Sequence, residues 1–269
     1  MTLLAAWPRC AHIARRRKRT TAWGNGGTEL LLGRETAIDA DKVEAILVLE
    51  SRAFGQGRAR QLVITAAMPV PIAWLVRAGL GRERLTGVSI KRGAIVATIE
   101  RVYAGRVIGT REETPEGPLA RQAVRDLILR GRIFRTARAS LIDRHEAGSL
   151  AAQLDGEPAW APLEEWLLSR LETLGMESVS DLELLEAEDI LPTALTPYAA
   201  EQLARSFPPE LSIGDARYRI RYDPSRREAT LEQIAGLRKT PPPVSYLPRL
   251  PGWRILLHHK NRIRTLRDR

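Results

Sequence analysis

Arginine is the residue type through which this sequence could do most of its chemistry. The 269 residues include 42 Lys and Arg against 32 Asp and Glu, a formal net charge of +10 at neutral pH. A guanidinium group offers a planar fork of N–H donors that suits phosphate. A basic excess therefore raises the expectation of a nucleic-acid or anionic-membrane partner. The alternative is that arginine simply occupies every solvated face, and composition alone does not decide between the two.

Three groups of cations are placed where they could contact such a partner together. The first is a run at 15–19, within residues 1–27, which contain no acid. The second lies at predicted turns between strands, and the third alternates along one predicted strand. Contacts between these groups and phosphates would release counterions, so binding should weaken steeply with salt. The predicted nucleic-acid contacts are Arg15, Arg16, Arg17, Lys18 and Arg19, then Arg58, Arg60, Lys91 and Arg92, and finally Arg217, Arg219 and Arg221.

Each group also has a simpler explanation. The run at 15–19 could be a disordered, solvated arm, and arginines at turns are common on any protein surface. The alternation at 217–221 is typical of a strand with one wet face, which is the interpretation we favour there. Stacking platforms for bases are also few, since Phe54 and Tyr103 are the only aromatic residues close in sequence to the turn cations.

Constellations typical of enzymes are missing from the sequence. The four histidines are scattered and show no metal-ligand spacing, and the pairs Cys10 with His12 and Ser140 with His145 follow no catalytic pattern. No GxxxxGK[ST] motif occurs, so nothing would hold ATP phosphates in the manner of a P-loop. We therefore expect no catalytic site, no metal and no cofactor. The histidines are at positions 12, 145, 258 and 259.

The compartment follows from cysteine usage and hydropathy. Cys10 is the only cysteine, so a disulfide framework is excluded and a reducing environment fits. No apolar run reaches the length that a membrane span needs. We expect a cytoplasmic protein with no membrane partner. An organellar transit peptide in the acid-free segment 1–27 is the minor alternative.

The predicted fold is α+β and begins with a small barrel like an OB-fold. Its centre is a hairpin over 43–70, in which the apolar runs 46–49 and 62–64 flank a hinge with Gly55 and Gly57. Further short strands with glycine turns continue to residue 113, and such a series favours a small closed barrel or sandwich. We expect a basic N-terminal arm at 1–27 and the β domain at 28–113.

A helical region and a second β segment complete the predicted organisation. The linker at 114–118 is rich in proline and glycine, after which apolar residues recur with helical spacing. Helices are expected from 119, over about 133–146, from Pro162, and after the cap Thr196, within a region ending at 209. A hairpin then pairs 211–213 with 217–222 and opens the C-terminal segment 210–269, which ends in a basic tail.

The order of these pieces resembles the region after the motor in the HrpB-type DExH-box ATP-dependent helicases. The resemblance rests on LEEWLL at 163–168 and on FPPELSIGDARYRIRY at 207–222. It implies an accessory region that binds single-stranded RNA or DNA without reading its sequence. Neither an ATP-binding motif nor a DExH tetrad is present, so ATP and magnesium are implied only if a separate motor protein is a partner.

The second hypothesis is a protein-interaction module. Residues 149–210 are rich in Asp and Glu, while both flanking regions are basic. This acidic helical surface could dock a basic partner, such as a separate helicase motor. Its expected contacts are Glu164, Glu165 and Glu172, on the helix that follows Pro162. A degraded helicase remnant without activity is a third, weaker alternative.

Overall fold

The computed structural model describes residues 2–18, 20–33, 35–55, 61–259 and 262–268. The chain forms two compact units, the first comprising residues 1–126 with 177–179 and the second 127–176 with 180–269. The first contains a closed five-stranded barrel, and the second contains helices followed by a five-stranded sheet. The predicted α+β class, with a barrel, then helices, then C-terminal strands, is confirmed. No helix in the described ranges is long and apolar enough to cross a membrane.

The barrel buries a compact apolar core. Its strand order is β1-β2-β3-β5-β4, and β1 closes it by pairing antiparallel with β4, where His12 lies opposite Ile46. Trp23, Leu30 and Ile64 point into the interior. Only β3 and β5 run parallel. The strands are β1 (Ala11–Arg16), β2 (Thr21–Gly24), β3 (Glu29–Leu32), β4 (Ala45–Phe54) and β5 (Gln61–Val70).

The barrel begins earlier in the chain than the sequence predicts. Residues 1–27, expected to be an arm, contain a short helix α1 (Thr2–Ala6) and the first two barrel strands. The expected β domain at 28–113 instead supplies three barrel strands and a separate sheet. The apolar face of β1 is short and runs straight into the basic run, and this hides its strand character in the sequence.

A three-stranded antiparallel sheet follows the barrel in the first unit. It comprises β6 (Arg82–Lys91), β7 (Ala94–Tyr103) and β8 (Arg106–Glu113), in that order, after a short helix α2 (Ile72–Arg77). The Tyr103 hydroxyl donates to the Ala11 carbonyl at 2.8 Å and so joins this sheet to the barrel. The sequence predicts these strands correctly, but they lie outside the barrel.

Helices occupy the middle of the chain as predicted. They are α3 (Gly117–Leu129), α4 (Ala137–Leu154), α5 (Leu163–Thr173) and α6 (Pro197–Ser206), and the boundary between the two units falls within α3. Helix α4 starts later and ends later than expected. Phe134 has a positive φ of 45°, which is incompatible with a helical start there, and the helix continues past Gly148, whose missing side chain leaves room for Trp160.

The predicted cap of α6 is confirmed. The Thr196 side-chain oxygen accepts from the Ala199 amide at 3.3 Å. We expect Thr196→Ala to lower the free energy of unfolding by about 0.5–2 kcal/mol, because one helix-end donor loses its partner. Thr196→Ser keeps the acceptor and is the control in urea denaturation. Equal destabilisation by both variants would show that the hydroxyl does not act as a cap.

The second unit ends in a mixed sheet that contains the predicted hairpin. The order is β13-β12-β11-β10-β9, and only β11 and β12 run parallel. Tyr218 and Ile220 are buried on the core face, as their alternation with arginine predicts. The strands are β9 (Glu210–Ile213), β10 (Ala216–Asp223), β11 (Glu228–Ala235), β12 (Arg254–His259) and β13 (Arg262–Arg267).

Candidate nucleic-acid interface

The basic run lies at the end of β1, where two glutamates each bind two arginines. Arg15 and Arg17 both reach Glu29, at 2.7 Å and 3.0 Å. Arg16 contacts Glu44 at 2.6 Å, and Arg106 of β8 contacts the other oxygen of the same carboxylate. The strand therefore holds its arginines in fixed positions along the barrel surface.

These arginines are also held by the backbone. Arg15 donates to the Ala104 carbonyl, and Arg16 donates to the carbonyls of Asp41 at 2.9 Å and Val43 at 3.2 Å. The first two arginines of the run are thus part of a strand rather than a flexible arm. Arg19, the last cation of the run, lies outside the described residues.

Positive charge remains in excess at this cluster, which we call the β1 cluster. Within the described residues, its four guanidiniums form ion pairs with two carboxylates; the guanidiniums are those of Arg15, Arg16, Arg17 and Arg106. Lys18 lies two residues beyond the end of β1, is exposed, and has no ion pair with the part of the chain that the structure describes. The cluster therefore keeps a net positive charge, although part of the charge predicted for phosphate binding is neutralised internally.

The two glutamates have lowered pKa values for the same reason. Hydrogen bonding from Arg15, assisted by the charge of Arg17, lowers the pKa of Glu29 below its ordinary value of 4.5. Desolvation would raise the pKa of Glu44, but hydrogen bonds and charge from Arg16 and Arg106 outweigh it. Both carboxylates thus stay ionised to lower pH in the folded protein than in the unfolded chain.

Stability should therefore fall in acid. A carboxyl whose folded pKa is lowered contributes stability that is present above its unfolded pKa and is lost as the pH falls through its folded pKa. We expect Glu29→Gln with Glu44→Gln to lower Tm at neutral pH, and the difference from wild type to shrink below about pH 4.5. Glu35→Gln, at an exposed site, is the control. A pH-independent difference in thermal melts would contradict this assignment.

The predicted turn cations divide into several cases. Arg58 and Arg60 lie outside the described residues. Lys91 pairs with Glu112 at 2.6 Å across the three-stranded sheet, so its charge is locally balanced. Arg92 occupies the β6–β7 turn with a φ of 50°, is exposed, and has no ion pair within the described ranges.

The two candidate stacking residues, Phe54 and Tyr103, differ in how far their rings are exposed. Phe54 is 53% exposed, at the outer end of a hairpin where residues 49–54 are all exposed. Tyr103 is half-buried with its hydroxyl bonded to Ala11, and desolvation raises its pKa. Because the ring of Tyr103 is used in packing, Phe54 is the one of these two residues whose ring is available for stacking.

The arginines of β10 lie in the second unit and face acidic side chains. Arg219 is 3.5 Å from Asp143, and Arg221 is 3.7 Å from Glu146 and 3.8 Å from Glu232. Arg217 is exposed and has no ion pair with any described residue. This arrangement favours the simpler interpretation of one wet strand face. It does not assemble a phosphate track.

The residues that sequence reasoning missed are the partners of the basic run. Glu29, Glu44 and Arg106 complete the β1 cluster, yet they lie 12 to 90 residues from the arginines that they accompany. Glu29 begins β3, Glu44 precedes β4 and Arg106 begins β8, and no local pattern connects any of them with the basic run. The glutamates of the alternative hypothesis have a simpler structural explanation. Glu164 and Glu165 lie in the first turn of α5, where carboxylates interact favourably with the helix dipole.

Comparison with solved structures gives weak similarity. No family model and no curated protein matches the sequence. Among solved structures, the crystal structure of the E. coli DExH-box NTPase HrpB is 20% identical, with a TM-score of 0.39. The match covers 95% of this chain and 32% of that chain, so this chain spans about a third of its length. The chain is thus weakly similar to part of a DExH-box NTPase, and membership of that family stays a prediction.

Proposed function

We propose that the first unit binds single-stranded nucleic acid through the β1 cluster. The observation that carries this proposal is the sharing of two carboxylates among four guanidiniums, which leaves surplus positive charge in a fixed arrangement. Arginine pairs with phosphate through more than one donor, and a cluster that is already ordered loses less entropy on binding.

The mode of binding is backbone recognition without sequence reading. Small five-stranded barrels of the OB type combine a basic surface with aromatic rings on which bases stack. The exposed ring of Phe54 and the exposed cations Lys18 and Arg92 supply these two elements here. The strand of nucleic acid is RNA or DNA.

The protein acts as an accessory region of a DExH-box helicase, in association with an ATPase motor. This part of the proposal rests on the sequence resemblance at 163–168 and 207–222. In this role the chain holds a strand, while ATP hydrolysis with magnesium belongs to the motor. The chain has no catalytic role of its own and works in the cytoplasm.

The test is fluorescence anisotropy of the full chain with a labelled uridine oligonucleotide, titrated with salt. Arg17→Gln with Lys18→Gln removes two exposed charges and should weaken binding. The logarithm of the association constant falls linearly with the logarithm of the salt concentration. The double variant should make this negative slope shallower by about 1.4, that is by about 0.7 for each lost contact. Arg205→Gln, an exposed site on α6, is the control. Absence of binding at low salt would refute the proposal and make the acidic face of α5 the next surface to test.

A further inference from the structure

Helix α6 has an apolar face that the second unit leaves open. Ala200, Leu203 and Ala204 recur at helical spacing, and Phe207, whose ring packs against Tyr222 and Trp253, follows the last turn. None of the residues of α6 is buried. A surface helix normally packs such a stripe against a core. This face is therefore available to a further structural element.

The open face forms one wall of a groove. The main hollow has a volume of about 640 Å³ and lies between α6, helix α4 with Ala147 and Leu150, and strand β10 with Ile220. A second hollow of about 300 Å³, reaching Leu154, shares Leu203 and other lining residues with the first. Because they share lining residues, we treat the two hollows as one groove beside α4 and α6. All of its residues belong to the second unit.

The charge of the groove is opposite to that of the chain. Four carboxylates line the two hollows, those of Asp143, Glu146, Glu210 and Asp155, against the guanidiniums of Arg219 and Arg221. The ion pairs among them are long, at 3.5 Å for Asp143 with Arg219 and 3.7 Å for Glu146 with Arg221. These carboxylates therefore retain capacity to accept further hydrogen bonds.

We infer that this groove docks an amphipathic helix of a partner protein, with an apolar stripe and lysine or arginine on its flanks. A groove with an apolar face between two helices can be filled by a third helix, the helix-in-groove mode of recognition. The net negative lining selects basic flanks and disfavours a phosphate backbone. The inference does not rest on nucleic-acid binding, because it uses residues of the second unit only. It also differs from the predicted acidic face of α5.

The experiment measures binding of a labelled synthetic peptide to the full chain by fluorescence anisotropy. The probe carries leucine at helical spacing of three and four residues with lysine between, and the matched peptide carries glutamate in place of lysine. We expect the lysine peptide to bind and the glutamate peptide to bind at least about tenfold more weakly, because several like charges then face the lining. Equal affinities, or no binding of the lysine peptide, would overturn the inference.

Matched variants locate the site. Ala204→Glu places a carboxylate on the exposed groove wall and should weaken the lysine peptide at least about tenfold, because that charge becomes buried without a partner. Tyr198→Glu adds the same charge to α6 at a position 74% exposed and outside both hollows, and should leave affinity unchanged. Asp143→Asn with Glu146→Gln should weaken binding about two- to fivefold, as expected for exposed ion pairs. Equal effects of Ala204→Glu and Tyr198→Glu would refute the assignment.

Discussion

Replacement of Trp23 by alanine is expected to destabilise the protein by about 3–5 kcal/mol, which is the usual cost of removing a large buried aromatic ring. The Trp23 side chain is fully buried in the barrel, where it packs with Leu30, Ile46 and Ile64. Its removal opens a cavity that β2 and its neighbours can close only in part. Because the free energy of unfolding of a whole protein is about 5–15 kcal/mol, this single change removes a large share of it. Urea denaturation of the two proteins measures it.

Two further variants separate the cavity from other effects. Trp7→Ala removes the same side chain at a position 46% exposed and should cost much less. Trp23→Phe should lower the free energy of unfolding by less than the lost side-chain volume suggests. The buried indole N–H of Trp23 has no partner among the described residues, and an unpaired buried donor is itself unfavourable. A loss for Trp23→Ala no larger than for Trp7→Ala would contradict the position of Trp23 at the centre of the barrel.

Gly236→Ala is expected to have the second largest effect, a loss of about 3 kcal/mol that combines backbone strain with displacement of neighbouring atoms. Gly236 follows β11 directly and has a φ of 88°, a conformation that residues with a side chain rarely adopt. A Cβ there would overlap the Asp215 carbonyl and would lie 2.6 Å from the Ala216 Cα. Because both obstacles are backbone atoms, the hairpin of β9 and β10 would have to move.

Gly156 provides a matched control for this prediction. It has the same φ of 88°, but a Cβ there would meet nothing within 4 Å. Gly156→Ala should therefore cost about 1–2 kcal/mol from the left-handed backbone alone. The difference between the two variants in urea denaturation measures the close approach at Gly236. Equal losses would show that only the dihedral angle matters there.

The barrel core and the β1 cluster involve successive parts of the same strand. Ile13 and Ala14 of β1 are buried, while Arg15 and Arg16 continue the strand at the surface. The positions of the cations therefore depend on the closure of the barrel. A core variant such as Trp23→Ala should weaken nucleic-acid binding only in proportion to the unfolded fraction, whereas Arg17→Gln with Lys18→Gln acts directly.

Much of the local structure was determined by the sequence itself. The hairpin at 211–222, the helix α5 after Pro162 and the Thr196 cap of α6 were all predictable. Their signals are short-range: alternation with period two, apolar spacing of three and four residues, and a side chain that bonds a backbone amide three positions on. Such interactions join residues that are already neighbours in the chain, so their pattern can be recognised without the fold.

Only the tertiary structure decided which strands close the barrel and what the basic run contacts. β1 pairs with β4, which lies more than 30 residues further along the chain. The local alternation of apolar and polar residues does not indicate which distant strand a given strand pairs with. The same closure brings Glu29 and Glu44 to the arginines of β1 and converts an expected free arm into a partly neutralised cluster. The groove beside α6 arises in the same way, from helix and strand packing. The positions of charges and apolar stripes can be predicted from the sequence. The residues that they contact depend on which distant segments of the chain pack together.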